Sequence, residues 1–268
     1  MKTKELTRVK LMLDGDTATI VLNRAPRHNA IDPAMIDELD SIFKEVEQDD
    51  RILFVLLRGE GPSFCAGADI KWFAGAALRD KSENWKEYLK LAELLERIFL
   101  SSKITIAAVH GNTLGGGNGL LAVCDFAVAE ESAHFAFGEV KLGLVPATIL
   151  PFVAKRLSVQ NLKKLMYSGD TFGAREAFQI GLVDFIAPVG QVGQMVGELL
   201  SGLRKVSPNA LKTCKKLIAK VSSGEVSTGS SEYTAAILAE LVHSEEAKEG
   251  LQAFLEKRSP DWHQLKMV

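Results

Sequence analysis

The sequence predicts an α/β protein whose last quarter is helical, and three observations carry that expectation. Short apolar runs at residues 52–57, 104–109 and 125–129 read as buried strands, because apolar and β-branched residues follow one another without polar alternation. Between them lie segments with apolar residues at helical spacing. From Gln194 onward the pattern is helical almost throughout, which separates a C-terminal part, residues 196–268, from a core at 1–195.

Taken in order, residues 9–13 and 17–22 are two strands joined across Asp14-Gly15-Asp16, a hairpin signal with glycine in the turn. The polar loop Asn23-Arg24-Ala25-Pro26-Arg27-His28-Asn29-Ala30 follows. Asp32 then stands as an N-cap and Pro33 as the first residue of a helix running to about Glu47, with Ile36, Leu39, Phe43 and Val46 on its apolar face. After the 52–57 strand and a glycine-containing turn comes Phe64-Cys65-Ala66-Gly67-Ala68-Asp69-Ile70. Its small side chains do not suit a regular strand, and they leave backbone amides accessible. No period is visible from Lys71 to about Asn84, so a mobile loop is expected there. Residues 85–99 return to helical spacing, with Leu89, Leu91, Leu94, Leu95 and Ile98 as the stripe.

The stretch ITIAAVHGNTLGGGNGL, residues 104–120, organises the chain. A buried strand is broken at Gly111, and Gly115, Gly116 and Gly117 follow where a helix begins. Glycine permits positive φ and close approach, so these residues can aim unpaired amide N–H groups at a ligand bearing negative charge. A tight connection with no ligand explains the glycines equally well. The dinucleotide fingerprint fails on spacing, since its sixth position counted from Gly115 is Leu120, and no Lys-Ser or Lys-Thr pair follows to make a P-loop. Downstream, a helix continues over 120–123 and a strand runs over 125–129. An extended segment at 135–140 ends in a turn and leaves Glu139 an acid in apolar company. Residues 149–157, 162–167 and 174–180 read as helices, the last with Gly181 as C-cap. In the tail, Lys212, Lys215, Lys216 and Lys220 mark a basic face. Ser244 opens a final helix with Glu245 and Glu246 in its first turn and Leu251, Phe254 and Leu255 on its apolar face; Pro260 is expected to stop it after Arg258.

Composition narrows the classes. With 268 residues and 47% hydrophobic content, the chain can bury a sizeable core. Its 32 Lys and Arg against 34 Asp and Glu give a formal charge of −2, too balanced for a nucleic acid or an anionic membrane as main partner. The N-terminal MKTKELTRVK has no apolar signal core, and no later stretch gives the ~20 uninterrupted apolar residues of a membrane span. A cytoplasmic or organelle-matrix location is expected. Cys65, Cys124 and Cys214 lack metal-type pairing, so neither a disulfide nor a metal site is expected, and the thiols read as small buried side chains.

Six segments in order, NRAPRHNAI, FCAGADIK, AAVHGNTLGGG, FGEVKLGLVP, REAFQIGLV and EEAKEGLQAFLEKRSPDW, resemble the enoyl-CoA hydratase/isomerase (crotonase) family over nearly the whole chain. The resemblance implies a spiral of ββα repeats with a C-terminal helical region that makes homotrimers, often paired into hexamers. It implies an acyl-CoA thioester substrate, whose coenzyme A is part of the substrate, and no separate cofactor. By position in the motifs, the amides of Ala68 and Gly116 would hold the thioester oxygen and Glu139 would be the acid/base. The segment from Ala66 through Asp69 and Ile70 to Lys71 would border the adenine of CoA. Arg27 and Lys257 would approach its phosphates, and Lys71 and Phe254 would complete the CoA contacts.

One departure stands out. Typical hydratases of this family carry a glutamate where this chain has Gly119, so only the second acid, Glu139, is retained. The resemblance then implies hydration or dehydration of an enoyl-CoA by one glutamate, helped by Asn118 or by a carboxylate on the substrate. GGGNG with GEVKLGLVPATILPF is similar to members acting on branched carboxylated substrates such as 3-methylglutaconyl-CoA; dehydration of an acyl group on a carrier protein is a related alternative. A 3,2-enoyl-CoA isomerase, which needs one base, remains an alternative, as do decarboxylation, thioester hydrolysis and a non-catalytic CoA- or RNA-binding role. A dienoyl isomerase is disfavoured, because its extra acid would fall near Ala147.

Overall fold

A computed structural model describes residues 2–262 of the chain. It divides into two compact units, Met1–Val196 and Gly197–Val268.

The first unit is built on a seven-stranded sheet. β1 (Lys2–Glu5), β2 (Val9–Asp14) and β3 (Thr17–Leu22) pair antiparallel, and Gly15 turns the β2–β3 hairpin at φ +57°. Beside β3 the sheet continues in parallel through β4 (Phe54–Gly59), β5 (Ile104–Val109), β7 (Phe126–Glu130) and, at the far edge, β10 (Phe185–Ala187). All six residues of β5 are buried, as its unbroken apolar run requires. A second, small sheet joins β6 (Asn112–Leu114), β8 (His134–Ala136) and β9 (Phe172–Gly173).

Helices cover the core. α1 (Pro33–Glu47) is capped by the Asp32 side chain, which accepts the Met35 N–H, and it buries Met35, Ile36, Leu39, Ile42, Phe43 and Val46. α2 (Ile70–Ala76) is short, and the long α3 (Lys81–Leu100) buries Leu91, Leu94, Leu95 and Ile98. The chain thus repeats one theme: a strand of the large sheet, an extended segment of the small layer, then helix. β5, β6 and α4 (Gly116–Ala122) make one turn, and β7, β8, a 3-10 turn at Gly138–Leu142 and α5 (Leu150–Arg156) make the next. Earlier, β4 is followed by an extended stretch whose isolated bridges Ser63–Gly111 and Cys65–Thr113 lay it along β6. α6 (Val159–Ser168) and α7 (Ala174–Gln179) complete the unit.

The second unit is helical. α8 (Val192–Leu203) leads into α9 (Pro208–Ser223), α10 (Ser231–Val242) and α11 (Glu245–Leu255). Ser207 and Ser244 cap α9 and α11 by accepting the Ala210 and Ala247 N–H groups. Glu246 ties the two helix starts together, accepting from the Ser207 hydroxyl and the Asn209 N–H. Among the described residues no helix is long and apolar enough to cross a membrane.

Four expectations need correction. The aperiodic stretch after Lys71 is not a loop: Asp69 caps α2, and Asp80 starts α3 four residues before Asn84 by accepting the Glu83 N–H. Local capping wins there, and Trp72 and Ala76, one turn apart, give the short helix its buried face. The segment at 135–140 is extended only to Ala136 and then coils into the 3-10 turn that carries Glu139. α11 ends at Leu255, ahead of Pro260, because Lys257 turns into the left-handed region at φ 53° and the Arg258 N–H closes back on the Ala253 carbonyl. Finally, Cys65 and Cys124 are buried but Cys214 is exposed.

Candidate active site

The site grows from two backbone segments held side by side. The stretch from Phe64 to Asp69 is stitched on both flanks. The Phe64 and Cys65 N–H groups donate to the carbonyls of His110 and Asn112, and the Leu114 N–H donates back to Cys65. On the other flank Ala66 donates to His28, Ile31 donates to Gly67 and Asp69 donates to Ile31. Ala68 sits between the last two bonds, so its own N–H faces away from Ile31. Among the described residues neither the Ala68 N–H nor the Gly116 N–H, at the first position of α4, has an acceptor. They are close together. A methyl carbon placed on Gly116 would sit 3.7 Å from the Ala68 nitrogen, and one placed on Gly67 would sit 3.5 Å from the Gly116 nitrogen. Two unpaired N–H groups so placed can receive one oxygen that carries developing negative charge.

Glu139 lies against this loop. Gly115 adopts φ +46° and ψ −115°, a backbone that favours glycine, and a side chain there would begin 2.7 Å from Glu139 Oε1, so the acid lies directly against the loop. Burial pushes the Glu139 carboxyl above the ordinary glutamate range, opposed only in part by its own backbone N–H, and its buried Oε2 has no hydrogen-bond partner. Such a group exchanges protons closer to neutrality than an exposed glutamate does. The neighbouring thiol cannot compete as a nucleophile: Cys65 is fully buried, donates to the Asn29 carbonyl, and is pushed up to about 12 by burial.

Gly119 proves to be a packing residue. A side chain there would begin 2.3 Å from Ile149 Cγ2 and 2.9 Å from Ile149 Cβ, so the place where a second acid would start is filled by the residue that opens α5. Asn118 is fully buried and donates through Nδ2 to the Ala136 carbonyl at 2.8 Å.

The residues expected to meet CoA are distributed as follows. Arg27 is exposed at the end of a 3-10 turn, Ala25–Arg27, and its charge is near enough to help lower the Asp69 carboxyl. Ala66 is half-buried, while Ile70 and Lys71 are exposed at the start of α2. The Asp69 side chain is already engaged: one oxygen accepts the Lys71 N–H and the other pairs with Arg24 at 2.7 Å. Burial alone would raise its pKa, but the Lys71 N–H and Arg24 outweigh that and hold it below the usual carboxylate range. Phe254 and Lys257 belong to the second unit, where Phe254 is exposed and Lys257 is the left-handed residue after α11. Sequence reading overlooked two residues. Arg24 joins both helix caps, Asp69 and Asp32; the pairing of two capping aspartates with an arginine in the preceding polar loop was the available signal. Ile149 left no signal, because only the fold brings it over Gly119.

The family model described as Enoyl-CoA hydratase/isomerase matches residues 14–265. A putative enoyl-CoA hydratase from Thermus thermophilus is 33% identical over 248 residues, covering 92% of this chain and 97% of the relative. A short-chain-enoyl-CoA hydratase from Clostridium acetobutylicum is 31% identical over 260 residues, covering 95% and 97%. Among solved structures, an enoyl-CoA hydratase from Shewanella pealeana superposes with a TM-score of 0.91 at 32% identity, covering 96% of this chain and 97% of that one. These likenesses define the class, an enzyme of the crotonase fold. Within that class, the chain belongs to the enoyl-CoA hydratase/isomerase family.

Proposed function

We propose that this enzyme is a hydro-lyase that adds water to, or removes it from, the 2,3 double bond of an enoyl-CoA thioester with a single carboxylic acid. The observation that carries the reading is the juxtaposition of two unpartnered amides, Ala68 and Gly116, with the half-buried Glu139 beside Gly115. In the hydration direction the thioester oxygen accepts both N–H groups, and the ionised Glu139 takes a proton from water as its oxygen bonds to C3. The electron pair of the double bond moves toward C2 and the carbonyl oxygen, where the amides stabilise the charge. Glu139, now protonated, returns a proton to C2. Removing one such amide donor typically costs ~10²–10³ in rate.

In this reading Arg27 approaches the CoA phosphates, and Lys71 completes the CoA contacts beside the adenine. Ala66, Asp69 and Ile70 border the adenine, Asp69 through its backbone because its carboxylate is held by Arg24. No cofactor beyond the CoA of the substrate takes part. A branched carboxylated acyl group of the 3-methylglutaconyl type is the substrate we favour, on the likeness of the GGGNG and GEVKLGLVPATILPF stretches. A second reading, 3,2-enoyl-CoA isomerisation, is favoured by the packing of Ile149 over Gly119, since moving one proton between carbons needs one base.

The test is turnover of crotonyl-, 3-hexenoyl- and 3-methylglutaconyl-CoA in deuterated water, wild type beside Glu139→Gln. Mass spectrometry reads a gain of water that vanishes in the variant as the expected result. Deuterium gain without water would overturn the hydro-lyase assignment in favour of the isomerase, and no turnover of the 3-methylglutaconyl thioester would remove that substrate.

A further inference from the structure

The parallel pairing of β6 with β8 ends at Leu114 opposite Ala136, and beyond that point the two chains part. One continues into Gly115 and the Gly116 amide; the other continues through Phe137 into the turn that carries Glu139. The Ala136 carbonyl is where they are last joined, and it receives two donors, the Gly115 N–H at 2.9 Å and Asn118 Nδ2 at 2.8 Å. The second bond is the only one of the two made by a side chain, and it spans from α4 back to the end of β8.

A second observation concerns the other end of that amide. Asn118 is fully buried, yet its Oδ1 has no donor. Leucine, with the same number of side-chain heavy atoms, would leave no acceptor unpaired, so apolar packing does not explain asparagine. A side chain carried for its Nδ2 donor does.

We propose that Asn118 is a positioning residue that fixes the Glu139 turn relative to the Gly116 amide by holding the Ala136 carbonyl. The proposal rests on the roles given above to Glu139 and Gly116. Without the bond, the Gly115 N–H is, among the described residues, the remaining donor to the Ala136 carbonyl, and the acid and the amide pair drift out of the common geometry that the reaction needs.

The test uses the full chain with crotonyl-CoA, or with whichever panel thioester turns over fastest. Asn118→Leu is expected to lower kcat at least tenfold with KM changed less than about threefold. In the Glu139→Gln background the same substitution should cost less than about twofold, because a misplaced acid cannot be lost twice. Equal losses in both backgrounds, a loss confined to KM, or full activity of Asn118→Leu beside an inactive Glu139→Gln would overturn the positioning role alone. An active Glu139→Gln would overturn the reading of Glu139 and this inference with it. Should Asn118→Leu fail to fold by circular dichroism, Asn118→Ala, which removes the donor without adding bulk, carries the same comparison.

Discussion

In the proposed chemistry Glu139 must ionise while half removed from water, and this sets its pH signature. Burial raises its pKa above the ordinary 4.5, and activity needs the carboxylate, so kcat/KM should fall on the acid side with a midpoint above 4.5. Glu139→Gln should lose ~10²–10⁴ in kcat. The sign for stability follows separately. A group whose pKa is raised by folding stabilises the folded state fully below its unfolded value, and that contribution fades as pH rises through the folded value. Glu139→Gln should therefore gain in urea midpoint relative to wild type at pH 8 and not at pH 4; the opposite pattern would contradict the burial. At this scale the motifs pointed to Glu139, Ala68 and Gly116, but not to Ile149, whose relation to Gly119 has no trace in local sequence.

Between elements, the contacts that shape the site are caps and close approaches. α4 meets α5 at Gly119, where even one methyl group collides with Ile149. Gly119→Ala should cost about 1–3 kcal/mol through overpacking. Ile149→Ala should cost about 2–4 kcal/mol by leaving a cavity. The double variant should cost less than the sum, since each change relieves the other; strict additivity in chemical denaturation would disprove the contact. Arg24 secures the other wall, pairing with Asp69 beside the Ala68 amide and with Asp32 at the start of α1. Arg24→Ala leaves two largely buried carboxylates short of a partner and should cost on the order of 2 kcal/mol, read from thermal unfolding. Asp32 and Pro33 made α1 legible in the sequence. α2 was not legible, because a seven-residue helix offers too few turns for a period, and its cap, Asp69, sits in a segment chosen for small side chains.

For the molecule as a whole, large apolar side chains of the second unit, Leu238, Leu251 and Leu255 among them, lie exposed on the chain. We propose that they are covered in a homotrimer or a pair of trimers, so native mass spectrometry should find three or six chains; a monomer at micromolar concentration would refute this.

What the sequence by itself determined were the features that depend on neighbours along the chain. The apolar runs of β4, β5 and β7, the Asp14-Gly15-Asp16 hairpin, the caps at Asp32 and Ser244 and the glycine loop follow from local pattern and backbone freedom, and they fixed the α/β class. The edge strands β1 and β10 escaped it, because a short strand at the margin of a sheet is decided by the partner it finds. Only the tertiary structure decided that the amides of Ala68 and Gly116, forty-eight residues apart by their numbers, come close together, that Glu139 closes on Gly115, and that Ile149 fills the place over Gly119. Distances of a few ångströms between such remote residues are set by how strands pair and helices pack, and no local pattern encodes them.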